Sequence, residues 1–253
     1  MTGSARDYDF VASPNVEPRK GGKSPRFLIL HYTGMKSAAA ARSWLCDPRS
    51  KVSCHYLVDE EGAVTQMVDE TMRAWHAGVS SWKGERDINS LSIGIEIHNP
   101  GHAAGYPDFP PLQMEAVARL CREIVQRHGI KPENVLAHSD VAPQRKIDPG
   151  EKFNWRFLHE RGTGHWVEPI AISGVDGLGL GAQGKPVRDL QKMLKRYGYG
   201  IGADGVYDDL SLRCVAAFQR HFRPIRVDGV ADTSTIETLR RLIGALPRAG
   251  GKS

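Results

Sequence analysis

The sequence has few of the features that mark a disulfide framework or a cysteine-rich metal ribbon. Its 253 residues include only four cysteines, and none of them forms a CxxC pair. Isolated cysteines of this kind usually behave as small buried residues. We therefore interpret them as core residues, with a disulfide between the first two as the alternative. They are Cys46, Cys54, Cys121 and Cys214.

The chain also lacks the signals that direct a protein to a membrane. Its N-terminus has no basic segment followed by an apolar one, so no export signal is visible. No stretch approaches the roughly 18 consecutive apolar residues of a membrane span. As written, the chain is predicted to be a cytoplasmic monomer without a membrane span, and the periplasm or cell envelope is the alternative location.

A strong charge of either sign is absent as well. The formal net charge is +5, which suits an acidic partner such as nucleic acid, an anionic surface or a carboxylate-rich polymer. Because no run of basic residues resembles a nucleic-acid tail, we do not expect nucleic acid as a partner. Hydrophobic residues make up 40% of the chain, which is enough for a globular core.

The pattern of apolar residues changes along the chain. Between residues 25 and 165, strand patterns alternate with helical ones, which predicts an α/β fold with a mixed β-sheet flanked by helices. Three helical patterns near the C-terminus predict a small three-helix bundle domain. The predicted segments are an irregular arm over 1–24, a main domain over 25–165, a Gly-rich linker over 166–184, the three-helix domain over 185–246 and a tail over 247–253.

Two buried strand patterns of the main domain end next to a histidine. Residues 27–30 precede His31, residues 135–137 precede His138, and Asp148 follows on a proline-rich loop. Two imidazoles and one carboxylate leave a fourth tetrahedral position open, which is the pattern of a catalytic zinc site. The residues alone also allow each histidine to be an ordinary core or surface residue.

A third strand pattern, over residues 91–97, carries a carboxylate. Its alternation places Glu96 on the face opposite the apolar stripe, beside Gly94, which has no side chain and leaves room for a ligand. A carboxylate in such a position can take a proton from a water molecule, and a cation such as Lys146 can stabilise a developing oxyanion.

Four motifs in order resemble the N-acetylmuramoyl-L-alanine amidases of the AmpD and AmiD type, relatives of a phage lysozyme and of the peptidoglycan recognition proteins. The resemblance covers about residues 25–160. It is carried by LHYT at 30–33, AWHAG at 74–78, the stretch from Trp82 through Asn89 to SIGIEI at 92–97, and AHSDVAPQRKIDPG at 137–150.

The resemblance implies a role for each residue at a matching position. His31, His138 and Asp148 would bind one zinc ion. Glu96 would be the general base, and Lys146 would stabilise the tetrahedral intermediate. The substrate groove would be lined by Trp75, His76, Asn89 and Arg145, of which the arginine would meet a substrate carboxylate.

The chain departs from the family pattern at two positions. Gln144 stands where the family usually has Gly, and Asn154 stands where Asp is common. The first departure lies beside the catalytic loop and bears on substrate fit, but neither removes a metal ligand. For Trp82, packing and a place in the groove wall are equally supported.

The C-terminal segment resembles the type 1 peptidoglycan-binding domain over about residues 178–245. The motifs are VRDLQKML at 187–194, the Asp-Gly pairs at 204–205 and 228–229, and AFQ at 217–219. Without the resemblance, the segment reads as a small helical packing domain whose Asp-Gly pairs are turns. A wall-binding domain would tether the main domain to a polymer and raise its effective concentration there.

Together these features predict a zinc-dependent hydrolase that cuts the amide between N-acetylmuramic acid, or its anhydro form, and L-alanine in peptidoglycan or muropeptides. The alternative is a peptidoglycan recognition protein that binds without turnover. The presence of Glu96 and Lys146 beside a complete ligand set favours hydrolysis. The motifs do not discriminate between the intact polymer and its recycled fragments.

Overall fold

The computed structural model describes residues 8–174 and 176–246. The predicted tail at 247–253, the first seven residues of the predicted arm and residue 175 of the predicted linker lie outside the described residues. The described chain forms two compact units. The first comprises the residues up to Gly78 together with Asp87–Lys131, and the second comprises Val79–Arg86 together with the residues from Pro132 onward. Among the described helices, none combines the length and apolar character that crossing a membrane requires.

The first unit is built on a mixed β-sheet. Five of its strands run in the order β1-β5-β4-β7-β3; β3 and β4 are parallel to β7, and β5 is antiparallel to β4. The elements are β1 (Asp9–Phe10), β2 (Val16–Pro18), β3 (Phe27–Tyr32), α1 (Ala38–Leu45), β4 (Tyr56–Val58), β5 (Val64–Gln66), β6 (Met72–Ala74), α2 (Ile88–Leu91), β7 (Ser92–Ile97) and α3 (Pro111–His128).

The centre of this sheet is the parallel pair β3 and β7. Leu28 and Leu30 of β3 and Ile93 and Ile95 of β7 are fully buried, as expected for parallel strands covered on both faces. The pairing continues beyond the apolar residues, so β3 extends to Tyr32 and includes the histidine that the sequence placed at its end.

The cysteines are free thiols. Cys54 is completely buried in a cluster with Leu45, Leu57 and Met67, and Cys46 packs against the same cluster. Cys121 and Cys214 are also buried. All four therefore act as small apolar side chains, and the alternative disulfide is not formed.

The N-terminal arm is anchored by a buried arginine. Arg19 is only 7% exposed, and its guanidinium donates hydrogen bonds to the carbonyl oxygens of Ser90 (3.0 Å), Ser92 (3.0 Å) and Glu70 (2.9 Å). Strand β2 of the arm also pairs with β6. These bonds give donors to backbone carbonyl groups of α2, of the first residue of β7 and of the loop before β6.

The second unit contains one strand that precedes the histidine at 138 and a three-helix module, here the segment 176–246 that contains α6, α7 and α8. Its elements are β8 (Val135–Ala137), α4 (His138–Val141), α5 (Trp155–Glu160), β9 (Gly177–Leu178), α6 (Lys185–Tyr197), α7 (Asp209–Phe222), β10 (Ala231–Asp232) and α8 (Thr233–Ala245).

A glutamine of α6 organises the loop before α7. Gln191 is buried; its Oε1 accepts from the Gly205 amide (2.9 Å), and its Nε2 donates to the Val206 carbonyl (2.9 Å) and to Ser211 Oγ (3.2 Å). Asp208 then caps α7 by accepting from the Ser211 amide (2.8 Å). One buried side chain thus satisfies a turn whose backbone groups have no partner in a helix.

The same arrangement recurs between α7 and α8. Gln219 Oε1 accepts from the Gly229 amide (2.8 Å), and its Nε2 donates to the Val230 carbonyl (2.9 Å) and to Thr235 Oγ1 (3.2 Å). Asp232 caps α8 through the Thr235 amide (2.7 Å). The two Asp-Gly pairs are therefore turns of an internal repeat.

The described residues of the Gly-rich segment over 166–184, which overlaps the start of the module, are held by β10 and α8. Strand β9 pairs antiparallel with β10. The Ile170 carbonyl accepts from Ser234 Oγ (2.6 Å), and the Ile170 amide donates to Thr238 Oγ1 (3.1 Å). The segment that lacks periodicity in the sequence is thus held by backbone pairing and by hydroxyl groups of α8.

Candidate metal centre and active site

Three predicted ligands form a buried group. One ligand atom from each of His31, His138 and Asp148 lies within 4.8 Å of the other two, and the residues are 1%, 3% and 7% exposed. His138 Nδ1 lies 3.0 Å from Asp148 Oδ2. Donor atoms bound to one tetrahedral zinc at about 2.0 Å stand roughly 3.3 Å apart, so this donor set fits the ion.

Local structure explains where each ligand lies. His31 is on β3, and His138 is the first residue of α4, directly after β8. Asp148 reaches the group from the following loop, where its carbonyl accepts from the Ser139 amide (3.0 Å). A backbone hydrogen bond therefore links Asp148 to the residue directly after His138.

The candidate general base lies beside the first ligand. In the parallel pairing of β3 and β7, Glu96 is the register partner of His31, and register partners on neighbouring strands project from the same face of a sheet. Glu96 is half-buried. The alternation predicted for residues 91–97 is present, and it places this carboxylate next to the metal group.

The two basic candidates lie on the loop that leads to Asp148. The Lys146 amide donates to the Ala142 carbonyl (3.0 Å), and the side chain is half-buried. Arg145 is exposed, and its Nε donates to the Val79 carbonyl (2.8 Å). Each cation is thus on a short tight turn rather than on a regular element.

His76 is placed against a metal ligand. It is 8% exposed; its Nδ1 lies 3.0 Å from His31 Nε2, and its Nε2 lies 3.0 Å from Ser92 Oγ. The serine hydroxyl donates to the Ile88 carbonyl (2.7 Å), so it accepts from His76 Nε2–H. Neutral His76 then accepts at Nδ1 from His31, which leaves Nδ1 of His31 for a metal.

The ring of His76 occupies the space above Gly94. A Cβ atom at Gly94 would lie 2.6 Å from His76 Nδ1 and 2.7 Å from its Cδ2. The glycine therefore permits a close approach of the ring. The room that the sequence indicated exists, and a side chain of the chain itself fills it.

The remaining groove candidates differ in exposure. Asn89 is 6% exposed, and its Oδ1 accepts from the amides of His76 (3.2 Å) and Ala77 (2.7 Å), which fixes the backbone of the segment that carries His76. Trp75 is half-buried, and its amide donates to Ser53 Oγ (2.8 Å). Trp82 is completely buried, so it is a packing residue and not part of a groove wall.

His55, another buried histidine of the first unit, lies outside the metal group. It is fully buried, and its Nδ1 accepts from the Gly94 amide (3.0 Å). Burial, together with the nearby Arg19, lowers the pKa of His55 to about 3. The imidazole is therefore neutral and serves the sheet backbone.

Sequence reasoning overlooked Ser92 and Asp140. Ser92 opens the SIGIEI motif but has no periodic signature, and Asp140 stands inside AHSD next to a more conspicuous histidine. Asp140 is fully buried, and its carboxylate accepts from the Ala137 amide (2.8 Å), Tyr199 Oη (2.7 Å) and His221 Nδ1 (2.7 Å). A buried carboxylate with three donors is a structural centre that only the folded chain reveals.

A buried group of two imidazoles and one carboxylate, with a second carboxylate on the adjacent strand, is the arrangement of a metal-dependent hydrolase. The chain belongs to the N-acetylmuramoyl-L-alanine amidase family, whose profile matches residues 21–151. A profile described as a putative peptidoglycan binding domain matches residues 183–239, which accords with the predicted second resemblance.

Individual relatives extend the likeness over most of the chain. N-acetylmuramoyl-L-alanine amidase AmiD of Escherichia coli (strain K12) is 38% identical over 224 residues, which span 83% of this chain and 79% of AmiD. The structure of E. coli AmiD with the substrate anhydro-N-acetylmuramic acid-L-Ala-D-gamma-Glu-L-Lys has a TM-score of 0.74 at 34% identity and covers 95% of this chain and 92% of its own.

A second solved relative is AmpDh3 from Pseudomonas aeruginosa in complex with anhydromuramic pentapeptide. Its TM-score is 0.70 at 30% identity, and the match covers 95% of this chain and 97% of AmpDh3. The predicted fold, a mixed sheet flanked by helices and followed by a helical module, is confirmed by these matches.

Proposed function

We propose that the protein is a zinc-dependent amidase that hydrolyses the bond between N-acetylmuramic acid, or its anhydro form, and L-alanine. The observation that carries the proposal is the buried group of His31, His138 and Asp148 with Glu96 in register beside the first ligand. Membership in the amidase family supports amide hydrolysis as the reaction of this site. Binding without turnover would not require a base at this position.

The residues of the chain divide the chemical work. Zinc held by the two histidines and the aspartate would supply Lewis acidity and would lower the pKa of a water molecule to about 7. Glu96 takes the proton of the attacking water and delivers it to the leaving amine. The Lys146 ammonium stabilises negative charge that develops on the amide oxygen.

The groove residues act in two ways in this proposal. Trp75 and Arg145 contact the substrate, the indole by its apolar face and the guanidinium through paired bonds to a carboxylate. His76 and Asn89 act from behind the site. Their bonds to His31 and to the backbone of His76 itself hold the first ligand in one ring orientation.

The substrate class is a muropeptide or the peptidoglycan polymer. AmiD and AmpDh3 are solved with anhydromuramic peptides, which supports a soluble fragment as substrate. The C-terminal match to a putative peptidoglycan binding domain supports contact with the polymer. An enzyme that uses both would take part in turnover and recycling of the cell wall.

The test measures release of stem peptide from soluble anhydro-muropeptide and from intact sacculi, with and without a chelator. We expect release that stops on chelation and returns with zinc. Glu96→Gln should lower the rate by about 10²- to 10⁴-fold while zinc remains bound. Glu61→Gln, at an exposed residue, is the matched control and should retain activity.

Two outcomes would contradict the proposal. Release that is equally fast in metal-free protein would exclude the zinc mechanism. Binding to sacculi without release of peptide, at wild-type zinc content, would instead support the recognition protein. Comparison of the two substrates gives the preference between polymer and fragment in the same experiment.

A further inference from the structure

The ligand His138 lies on a helix that is too short to support itself. Helix α4 has only four residues, His138–Val141, and a single helical turn is unstable without tertiary contacts. The direction of the His138 side chain is set by the backbone of this turn. Whatever fixes α4 therefore also fixes one of the three metal ligands.

Besides the backbone bonds of Ser139 and Val141, three hydrogen bonds of α4 converge on the Asp140 carboxylate. Its carboxylate accepts from the Ala137 amide (2.8 Å), which closes the turn at the residue before His138. The other two donors come from the three-helix module: Tyr199 Oη at 2.7 Å and His221 Nδ1 at 2.7 Å. Since an ionised carboxylate only accepts, both module side chains donate.

Both donors are held rigidly. The His221 ring is 2% exposed and is stacked between Trp155 and Phe222, with ring centroids 3.7 Å and 3.8 Å away. Tyr199 is also 2% exposed and packs edge-on against Trp82 at 5.0 Å. Burial and the nearby Asp140 raise the pKa of Tyr199 well above its usual value, so its hydroxyl stays protonated and donates.

We infer that the three-helix module is a brace for the metal centre, in which Tyr199 and His221 are positioning residues. They hold Asp140, Asp140 holds the turn of α4, and that turn aims His138 at the metal. The inference rests on the proposed zinc amidase function. It gives the module a second task, separate from attachment to a polymer, and this task is exerted within a single chain.

The chain offers a matched pair of variants. Tyr199→Phe removes the hydroxyl that reaches Asp140. Tyr207→Phe removes a hydroxyl of a tyrosine that is buried to a similar extent in the same module. This hydroxyl donates to the Gly229 carbonyl at 2.7 Å and not to a residue of α4. Zinc dissociation constants of the full-length variants are measured by chelator competition, alongside melting temperatures.

Removal of a partner behind a metal ligand typically weakens metal binding by about 10- to 100-fold. Tyr199 acts through the backbone of α4 and not on the His138 ring. We therefore expect the zinc dissociation constant to rise less, by about fivefold, in Tyr199→Phe and not to change in Tyr207→Phe. Hydrogen exchange of the amides of residues 137–142 in metal-free protein should rise in the first variant only. Equal zinc affinity in the two variants would overturn the inference.

His221 provides a second, independent test. His221→Asn keeps an N–H donor near the position of Nδ1, whereas His221→Leu removes it. We expect the first to retain most of the zinc affinity and the second to lose it. If both lose it equally, packing and not the bond to Asp140 matters, and the brace is refuted. If wild-type protein itself binds no zinc, the proposed function fails instead.

Discussion

At the scale of single residues, the environment of His31 depends on a glycine of the neighbouring strand β7. Gly94 allows the His76 ring to approach the sheet closely enough to meet His31 Nε2 at 3.0 Å. The hydrogen bonds then continue to Ser92 and the Ile88 carbonyl. A chain of donors that ends on a backbone carbonyl sets one tautomer for each ring along it.

A methyl group at position 94 should disturb this chain. Gly94→Ala places a Cβ 2.6 Å from His76 Nδ1, so the ring must move away from His31. We expect a loss of about 1–3 kcal/mol in the free energy of unfolding and weaker zinc binding. Denaturant titration and chelator competition measure the two effects.

The control is Gly202→Ala. A Cβ at Gly202 has no heavy atom within 4 Å, so this variant should unfold and bind zinc like the wild type. If Gly94→Ala behaves like Gly202→Ala, the close approach of His76 has no role in the site.

Alternation of residues 91–97 was sufficient to predict which way Glu96 points, but the expectation of room for a ligand above Gly94 was wrong, because the His76 ring occupies that space. Alternation was insufficient to predict what fills that space, because His76 comes from another segment and is brought there only by the fold. The same holds for Asp140. Its three donors lie 3, 59 and 81 residues away, and no local pattern connects them.

At the scale of elements, the strands and long helices follow the apolar pattern closely. Apolar residues at 117, 120, 121, 124 and 125 predict a helix over 112–128 that ends at a glycine. The structure has α3 there, and it ends at Gly129 with a left-handed φ of 62°. Helix α4 was not predicted, because four residues are too few to show a helical period. Elements with an apolar stripe are thus readable from sequence, and a turn maintained by buried polar contacts is not.

One half-buried carboxylate links the sheet to α3. Glu70 accepts from Tyr56 Oη (2.8 Å), Arg127 Nε (2.8 Å) and His128 Nε2 (2.7 Å). Burial raises the pKa of Glu70, but the bonds from His128, Arg127 and Tyr56 outweigh it and lower the pKa to about 2. The ionised form is therefore favoured in the folded state.

This cluster should make the first unit sensitive to acid. A carboxyl whose pKa falls from 4.5 to about 2 on folding contributes stability above pH 4.5 that is lost as the pH falls towards 2. The contribution is about 3 kcal/mol. Unfolding free energies between pH 7 and pH 2.5 should fall steeply for the wild type and less steeply for Glu70→Gln.

The comparison variant is Glu61→Gln, which changes an exposed residue outside the cluster. It should keep the wild-type dependence on pH. A Glu70→Gln profile that is parallel to both would show that the cluster contributes nothing to stability in this range.

At the scale of the whole chain, the motifs predicted a catalytic region and a wall-binding module joined by a linker. Both regions match their families. The sequence could not predict that residues of the two regions share a buried set of side chains in the second unit. Trp82 and Trp155 are 0% and 4% exposed, and module rings cover them: Tyr197 and Tyr199 for the first, His221 for the second.

A truncated chain tests whether the module is only a tether or an integral part of the structure. A chain that ends at residue 165 would expose Trp82 and Trp155 to solvent and leave Asp140 without two of its donors. We expect this fragment to aggregate or to melt at a lower temperature than the full chain, as measured by size-exclusion chromatography and thermal unfolding. A monomeric fragment with wild-type zinc affinity would show that the module is only a tether.

The two module donors of Asp140 are also synthesised much later than Asp140 itself. Tyr199 and His221 follow Asp140 by 59 and 81 residues, so all three candidate metal ligands are synthesised well before these two donors. The glutamine-bound turns of the module, by contrast, join residues only 10 to 20 positions apart and can form as they emerge. We therefore expect the turn of α4 to gain its last two hydrogen bonds only after α7 has been synthesised.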